Sequence, residues 1–404
     1  VQNNKLDILM LESKRSFDFF WQAANTDLLS KGYGLIRDRA PSSPEVASIA
    51  SVGFGLTAIV IGIERGWITY NDGLERVRGT LNTLLNNLEH QHGFYYHFLN
   101  INTGEHLPWS EVSVIDTAIA ICGVITAGEY FQGEVKEIAT KIYERVDWQW
   151  YVDPKTKQFY MGYNEKEGHF GRWDHYAEQF MMYILGAASP TYPISPEMFY
   201  LFERWIGYYA GIGPIIHSMQ GALFVYQFSH AWFDFRDKVD QNGVDWFNNS
   251  KLATIANRQF CIDHAHLAKT FGENSWGLTA CDGPNGYSGQ YGAKPNKEKI
   301  DFLDSTIPPC GAAGSIVFTP EESIRALNHY YNNYPELWGK YGFQDAYNLD
   351  VTPPWFAQDV IGIDKGITLL MIENYLSGLV WKIFMNNSYV QKGMELIGFK
   401  ANLK

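Results

Sequence analysis

The chain has 404 residues, 46% of them hydrophobic, 16% aromatic and only 19% charged, with a formal net charge of −12. This is ample for a sizeable core, and no Ser/Gly/Pro-rich linker breaks it, so residues 1–404 read as one domain. The acidic balance and the lack of a basic stripe argue against a nucleic-acid partner.

In chain order, charge-bearing helices alternate with nearly charge-free ones. Leu6–Leu29 carries Lys14, Arg15 and Asp18, and the uncharged run Val46–Ile63 follows. Asn71–Glu89 is amphipathic, Ser113–Gly128 is apolar, and Gly133–Val146 is charged again. The segment Trp148–Trp173 alternates around a polar turn and predicts a small hairpin. Apolar Tyr176–Ala188 then precedes Ser195–Trp205, with Pro196 at a favoured first-turn position. Ser218–Phe233 and Val244–Lys269 form the next pair, Pro309–Phe318 and Pro320–Tyr334 the one after, and Gly366–Trp381 is the last apolar helix.

A helix apolar on nearly every side must be buried on every side. Six such helices inside six charged ones predict an all-α (α/α)6 barrel, a toroid of six helical hairpins with the small hairpin at its cleft end. Connections from outer to inner helices are long and those from inner to outer short, so the loops should gather at the N-termini of the inner helices. Those ends offer free N–H groups and partial positive charge. Val46–Ile63 has the minimum length of a membrane span, but it carries Ser48, Ser51 and Thr57 and has counterparts along the chain, so a buried inner helix is expected. Cys122 and Cys261 read as buried thiols; Cys281 and Cys310 flank the long loop Phe271–Pro309, and their pairing is left open. The opening VQNNKLDILM lacks the basic and apolar regions of a signal peptide, and a leader already removed is the expectation.

Three constellations carry candidate chemistry. In Gly171-Arg-Trp-Asp-His-Tyr-Ala-Glu178, Asp174 is placed to cap the third inner helix, with Glu178 one turn deeper. Trp173 and Tyr176 would desolvate Glu178 and raise its pKa, which suits a general acid. Asp364 opens the last inner helix as a partner base or a cap, with Asp359 in the loop before it; Glu373, deeper in the helix, reads as structural. Asp116 is the lone charge of its inner helix until Glu129, preceded by Trp109 and Glu111. A lone acid on a buried helix is costly unless paired or functional. His175 and His217 are candidates for sugar hydroxyls, and His230 reads as a core residue. Loop aromatics, among them Phe94, Tyr95, Tyr96, Trp109, Trp173, Trp276, Tyr287 and Trp355, are candidate platforms for the C–H face of a pyranose. No metal-ligand spacing, Walker loop or G-x-S-x-G occurs, so neither metal nor cofactor is expected.

These residues, with Asp364-Lys-Gly366 and Ile372-Glu-Asn-Tyr-Leu-Ser-Gly-Leu-Val-Trp381, resemble the glucoamylase-like family of bacterial (α/α)6-barrel proteins, which includes the endo-β-1,2-glucanases of glycoside hydrolase family 144. The resemblance spans almost the whole chain, from Phe17-Asp-Phe-Phe-Trp21 to Gly393-Met-Glu-Leu-Ile-Gly-Phe399. It implies an (α/α)6 fold, a glycan substrate and carboxylate catalysis without an organic cofactor. It places the general acid at Glu178, a catalytic or substrate-binding acid at Asp364, and Asp116 in the cleft.

The leading expectation is a glycoside hydrolase cleaving a β-glucan, β-1,2-linked, with Glu178 as acid, Asp364 or Asp116 as base, and inversion of the anomer. Arg172, Asp174, His175, Glu111, Asp359 and the aromatics Trp109, Trp173, Trp276, Tyr287 and Trp355 would bind substrate. One alternative is a polysaccharide lyase using Arg37, Arg39 or Arg172 to meet a uronate; another is a non-catalytic glycan-binding protein. The expected setting is a monomer in the periplasm or outside a bacterial cell.

Overall fold

The computed structural model describes residues 2–295 and 303–404, with side chains from residue 7 onward. Among these residues there are twelve α-helices, and the sheets have two or three short strands. The part of the long loop at 296–302 lies outside the described residues.

Three inner helices are entered from a short strand. Val46–Ser48 leads into α2 (Ile49–Glu64), Val112–Ser113 into α4 (Val114–Phe131), and Val360–Ile361 into α10 (Gly362–Leu376). The strand turns into helix where Ser48 and Ser113 cap the first turn, accepting the N–H of Ser51 and Asp116. α2 and α4 are buried almost throughout, as their lack of charge predicts. They approach at two glycines: a Cβ on Gly53 would lie 2.3 Å from the Ile119 carbonyl oxygen, and one on Gly123 would lie 2.2 Å from that of Gly53. α4 is long and apolar enough to cross a membrane, but it is mostly buried inside the protein, as is α2.

The outer layer holds α1 (Gln2–Gln22), α3 (Tyr70–Asn82), α5 (Gly133–Glu144), α7 (Trp246–Asp263) and α9 (Pro320–Asn333). α10 packs on both α2 and α1, and Arg39–Ala40 pairs antiparallel with Val360–Ile361, so the last hairpin closes the ring on the first. One hydrophobic cluster runs through nearly all of these elements, which makes the α/α toroid continuous. Each Leu, Ile or Phe it fully buries contributes roughly 1.5–3 kcal/mol.

Several elements differ from the expectation. α6 spans Phe180–Ala188, so Tyr176 to Gln179 stand before it, and its N-cap is Gln179 rather than Asp174. The Gln179 side chain staples this bend by accepting the Ala177 N–H (2.7 Å) and donating to the His175 carbonyl (2.8 Å). The fourth inner helix is not α-helical: Ser218–Phe233 contains two 3₁₀ turns, Leu223–Tyr226 and Phe228–Ala231. Its donors are taken elsewhere, Leu223 N–H by the Leu278 carbonyl and Phe224 N–H by Thr279 Oγ1.

The outer helix expected over Ser195–Trp205 is a single 3₁₀ turn, Pro196–Tyr200, followed by a hairpin of Trp205–Tyr209 with Ile212–His217. α12 (Ser388–Ile397) packs against α6 in its place, so closely that a Cβ on Gly393 would lie 2.3 Å from the Ile184 carbonyl oxygen. The last inner helix starts at Gly362 and stops at Leu376; Gly378, with a positive φ, turns the chain into the separate α11 (Leu379–Phe384). The hairpin read in Trp148–Trp173 is present, its strands Gly162–Asn164 and Gly168–Phe170 joined by Val112–Ser113. All four cysteines are free and buried, so Cys281 and Cys310 are not paired.

Candidate active site

The strands that introduce α2, α4 and α10, and the bend before α6, bring a set of acids to one mouth. Asp116 lies in the first turn of α4. Its N–H donates to Ser113 Oγ (3.1 Å), and that hydroxyl donates to Asp116 Oδ2 (2.6 Å). His97, just before strand Phe98–Asn100, reaches Glu111 Oε1 with Nδ1 (2.5 Å) and Asp116 Oδ2 with Nε2 (3.4 Å). Its ring stacks on Phe98 at 3.8 Å, and Phe98 in turn packs on Trp109 at 4.9 Å. Trp109 is 65% exposed, an open aromatic face beside Glu111.

Glu178 stands in the bend before α6, with its backbone carbonyl held by Ser229 Oγ at 3.0 Å. Its carboxylate has no side-chain partner among the described residues. Burial, with a further contribution from the charge of Asp116, pushes its pKa up to about 7. The one-turn spacing expected between Asp174 and Glu178 is absent, because the segment bends. Asp174 is exposed and pairs with His175 Nδ1 (2.8 Å), whose ring stacks on Trp205 at 5.0 Å.

A second group of acids lies where α10 begins. Asp364 is in the first turn of α10 and does not cap it. Among the described residues its Oδ2 and Asp345 Oδ1 are both buried without another hydrogen-bond partner, and two carboxyls facing each other in this way call for a proton between them. Burial and the facing charge raise both: Asp345 is pushed up to about 6, and Asp364 lies well above its ordinary range. Asp345 Oδ2 accepts the N–H of Asp282 (2.7 Å). Asp282 pairs with Arg39 at 2.8 Å, and Asp359 meets the same guanidinium at 3.2 Å. Asp282 faces Tyr287 across the hairpin Cys281–Ser288, so Arg39 fixes the hairpin that presents Tyr287, which is 51% exposed.

The remaining candidates divide. Trp276 and Trp173 are corrections: both are buried in the core, so neither offers a face to a sugar. Phe94, Tyr95 and Tyr96 are buried likewise. Trp355 is half-buried against Cys281, Tyr291 and Ala346. Glu373 is structural, holding Arg65 (2.6 Å) and Ser377 (2.6 Å). His230 is buried on Ser250 Oγ (3.1 Å), and burial pushes it down to about 3.

The three arginines open to a lyase are all engaged. Arg39 holds Asp282 and Asp359, Arg172 holds Asp153 (2.6 Å), and Arg37 donates to the carbonyls of Arg39, Pro41 and Ser42. The sequence reading missed His97, Asp38, Asp282 and Asp345. A lone His in an aromatic run has no signal that separates it from a packing ring. Asp345, the one charge in Tyr341–Leu349, carried the same lone-acid signal that singled out Asp116.

An α/α toroid whose mouth gathers carboxyls, with a desolvated acid close to a second one, is a scaffold suited to acid–base chemistry on a polyhydroxylated substrate. The Glycoamylase family model, described as "Putative glucoamylase", matches residues 171–388, and the chain belongs to that family. A solved structure of the same description, from Bacteroides uniformis, is 31% identical, with a TM-score of 0.89 over 98% of each chain. An endo-β-1,2-glucanase from Chitinophaga pinensis, solved with sophorotriose and glucose, is 29% identical, with a TM-score of 0.88 over 98% of this chain and 99% of that one. An exo β-1,2-glucooligosaccharide sophorohydrolase (non-reducing end) from Parabacteroides distasonis is 29% identical over 434 aligned residues, which cover 96% of this chain. This chain spans 57% of the length of that curated relative.

Proposed function

We propose that this protein hydrolyses a β-1,2-linked glucan, with Glu178 as the general acid. The observation that carries the reading is the state of Glu178, a desolvated carboxyl without a side-chain partner among the described residues, held protonated to about pH 7 with Asp116 close by. A general acid works best with a pKa near the working pH. The relatives that share the fold along nearly the whole chain supply the linkage: one acts on β-1,2-glucan from within and one on its oligosaccharides from the non-reducing end.

Asp116 is the base in this reading, because Ser113 donates to its carboxylate and His97 Nε2 stands 3.4 Å from it, while burial and the facing Asp345 raise Asp364 well above its ordinary range. Asp116 takes a proton from water, the water oxygen bonds to the anomeric carbon, the glycosidic bond breaks, and Glu178 protonates the departing oxygen. This is the inverting course, in which acid and base stand about 6.5–9.5 Å apart to admit the water. Trp109 and Tyr287 are the exposed aromatic faces for the glucose rings, and we place the protein, as a monomer, in the periplasm or outside a bacterial cell.

The test is incubation of purified protein with linear β-1,2-glucan, reading product length and initial anomer by NMR. Short β-1,2 oligosaccharides of the α-anomer are expected, with kcat lowered about 10²–10⁴-fold in Glu178→Gln. Full activity in that variant, or silence of the wild type on every β-1,2-glucan, overturns the proposal.

A further inference from the structure

We propose that His97 is a positioning residue for this hydrolysis: a fixed imidazolium, clamped between Glu111 and Asp116, that holds Asp116 oriented as the base. The inference rests on the hydrolase reading of the same mouth.

The ring has little freedom. The His97 N–H donates to the Glu111 carbonyl (2.9 Å), and the His97 carbonyl accepts from Ile49 (3.1 Å), the first residue of α2. One ring face is covered by Phe98. Both nitrogens therefore face carboxylates, Nδ1 at 2.5 Å and Nε2 at 3.4 Å. A neutral imidazole has one donor nitrogen and one acceptor nitrogen. An acceptor lone pair turned toward a carboxylate is repelled, so the arrangement calls for protons on both.

The charged and titratable groups around the ring agree. Asp38 approaches from before strand Arg39–Ala40, and Glu111 and Asp116 from either side of strand Val112–Ser113, while Glu178, in the bend before α6, interacts with Asp116. Tyr151 backs the acids and donates its hydroxyl to the Val112 carbonyl. Arg39, the other nearby cation, is held by Asp282, Asp359 and Asp38. Burial alone would discharge the ring, but Asp116 and Glu111 outweigh it and push its pKa up to about 9, while Glu111 is held below its ordinary range. The molecule also contains the contrasting case. Asp345 and Asp364 face each other carboxyl to carboxyl, and both are raised.

Two measurements test the role. Nitrogen NMR of the wild-type ring should report a doubly protonated imidazole at pH 7.5 that titrates only near 9. A ring titrating near the ordinary value of about 6.5 overturns the proposal whether or not the protein turns over glucan. In His97→Gln and His97→Asn, kcat on β-1,2-glucan should fall about 10²-fold. KM should stay within about threefold, as expected when transition-state rather than uniform binding is lost. An unmoved kcat in folded variants also overturns it. Failure of the hydrolase reading is recognised separately, by a wild type that cleaves nothing while its ring still titrates near 9.

Discussion

Asp116 lies within electrostatic reach of Glu178. The two enter the mouth from the first turn of α4 and from the bend before α6, and the charge of one adds to the burial of the other in holding Glu178 protonated. A carboxyl raised in this way works as an acid only below its pKa, so glucan cleavage should decline as pH rises through about 7. Carbon NMR of the Glu178 carboxyl should show it titrating near 7 in the wild type and lower in Asp116→Asn, where the neighbouring charge is gone. An unchanged titration in that variant would break the link between the two residues.

The Asp345–Asp364 pair makes a different pH prediction. A carboxyl whose folded pKa is raised favours the protonated folded state, so its contribution to stability is full below its ordinary value and is lost as pH rises through the folded one. For Asp345 that window runs from about 4 to about 6. Asp345→Asn keeps a neutral acceptor for Asp364, so the fall in melting temperature between pH 4 and pH 7 should be smaller than in the wild type. Parallel falls in both proteins would contradict the shared proton.

Trp109 is exposed and packs at a tilt on Phe98. Trp109→Ala should leave the fold intact and raise KM with kcat nearly unchanged, the signature of lost uniform binding. The loss of one ring face amounts to about 1 kcal/mol, several-fold in KM. Steady-state kinetics on β-1,2-glucan decide it; a fall in kcat with KM unmoved would place Trp109 outside the binding surface.

The crossing of α2 and α4 leaves no room for a methyl group. Gly53→Ala would set a Cβ 2.3 Å from the Ile119 carbonyl oxygen, in a stretch where both helices are buried. Overpacking of this kind costs about 1–3 kcal/mol, read by urea unfolding. No change in midpoint would mean that the helices separate freely.

What could be read in the sequence was whatever is local in sequence. α2, α4 and most of α10 were legible because a long stretch with few charges has few ways to avoid burial. Glu178 and Asp116 stood out as candidates because each is a lone acid in such surroundings. The failures are tertiary. Ser218–Phe233 has the composition of an inner helix, but its N–H groups bond to Leu278 and Thr279, partners that no local pattern announces. Trp276 and Trp173 sit in loop sequence, and they are buried because these loops pack upon themselves. His97, Asp345 and Arg39 matter through partners brought in from other hairpins, so their roles emerged only with the fold.

The packing of α12 on α6 bears on how the chain is made. While the ribosome is still extending the polypeptide, the apolar flank of α6 has no cover, because the helix that shields it is synthesised far later. The clasp between Arg39–Ala40 and Val360–Ile361 likewise waits for the final hairpin. The nascent chain therefore carries exposed sticky surface through most of its synthesis. Chaperone dependence should be set by the last hairpin and α12, and truncation before Ser388 should leave a product that aggregates although its α2–α4 crossing is complete.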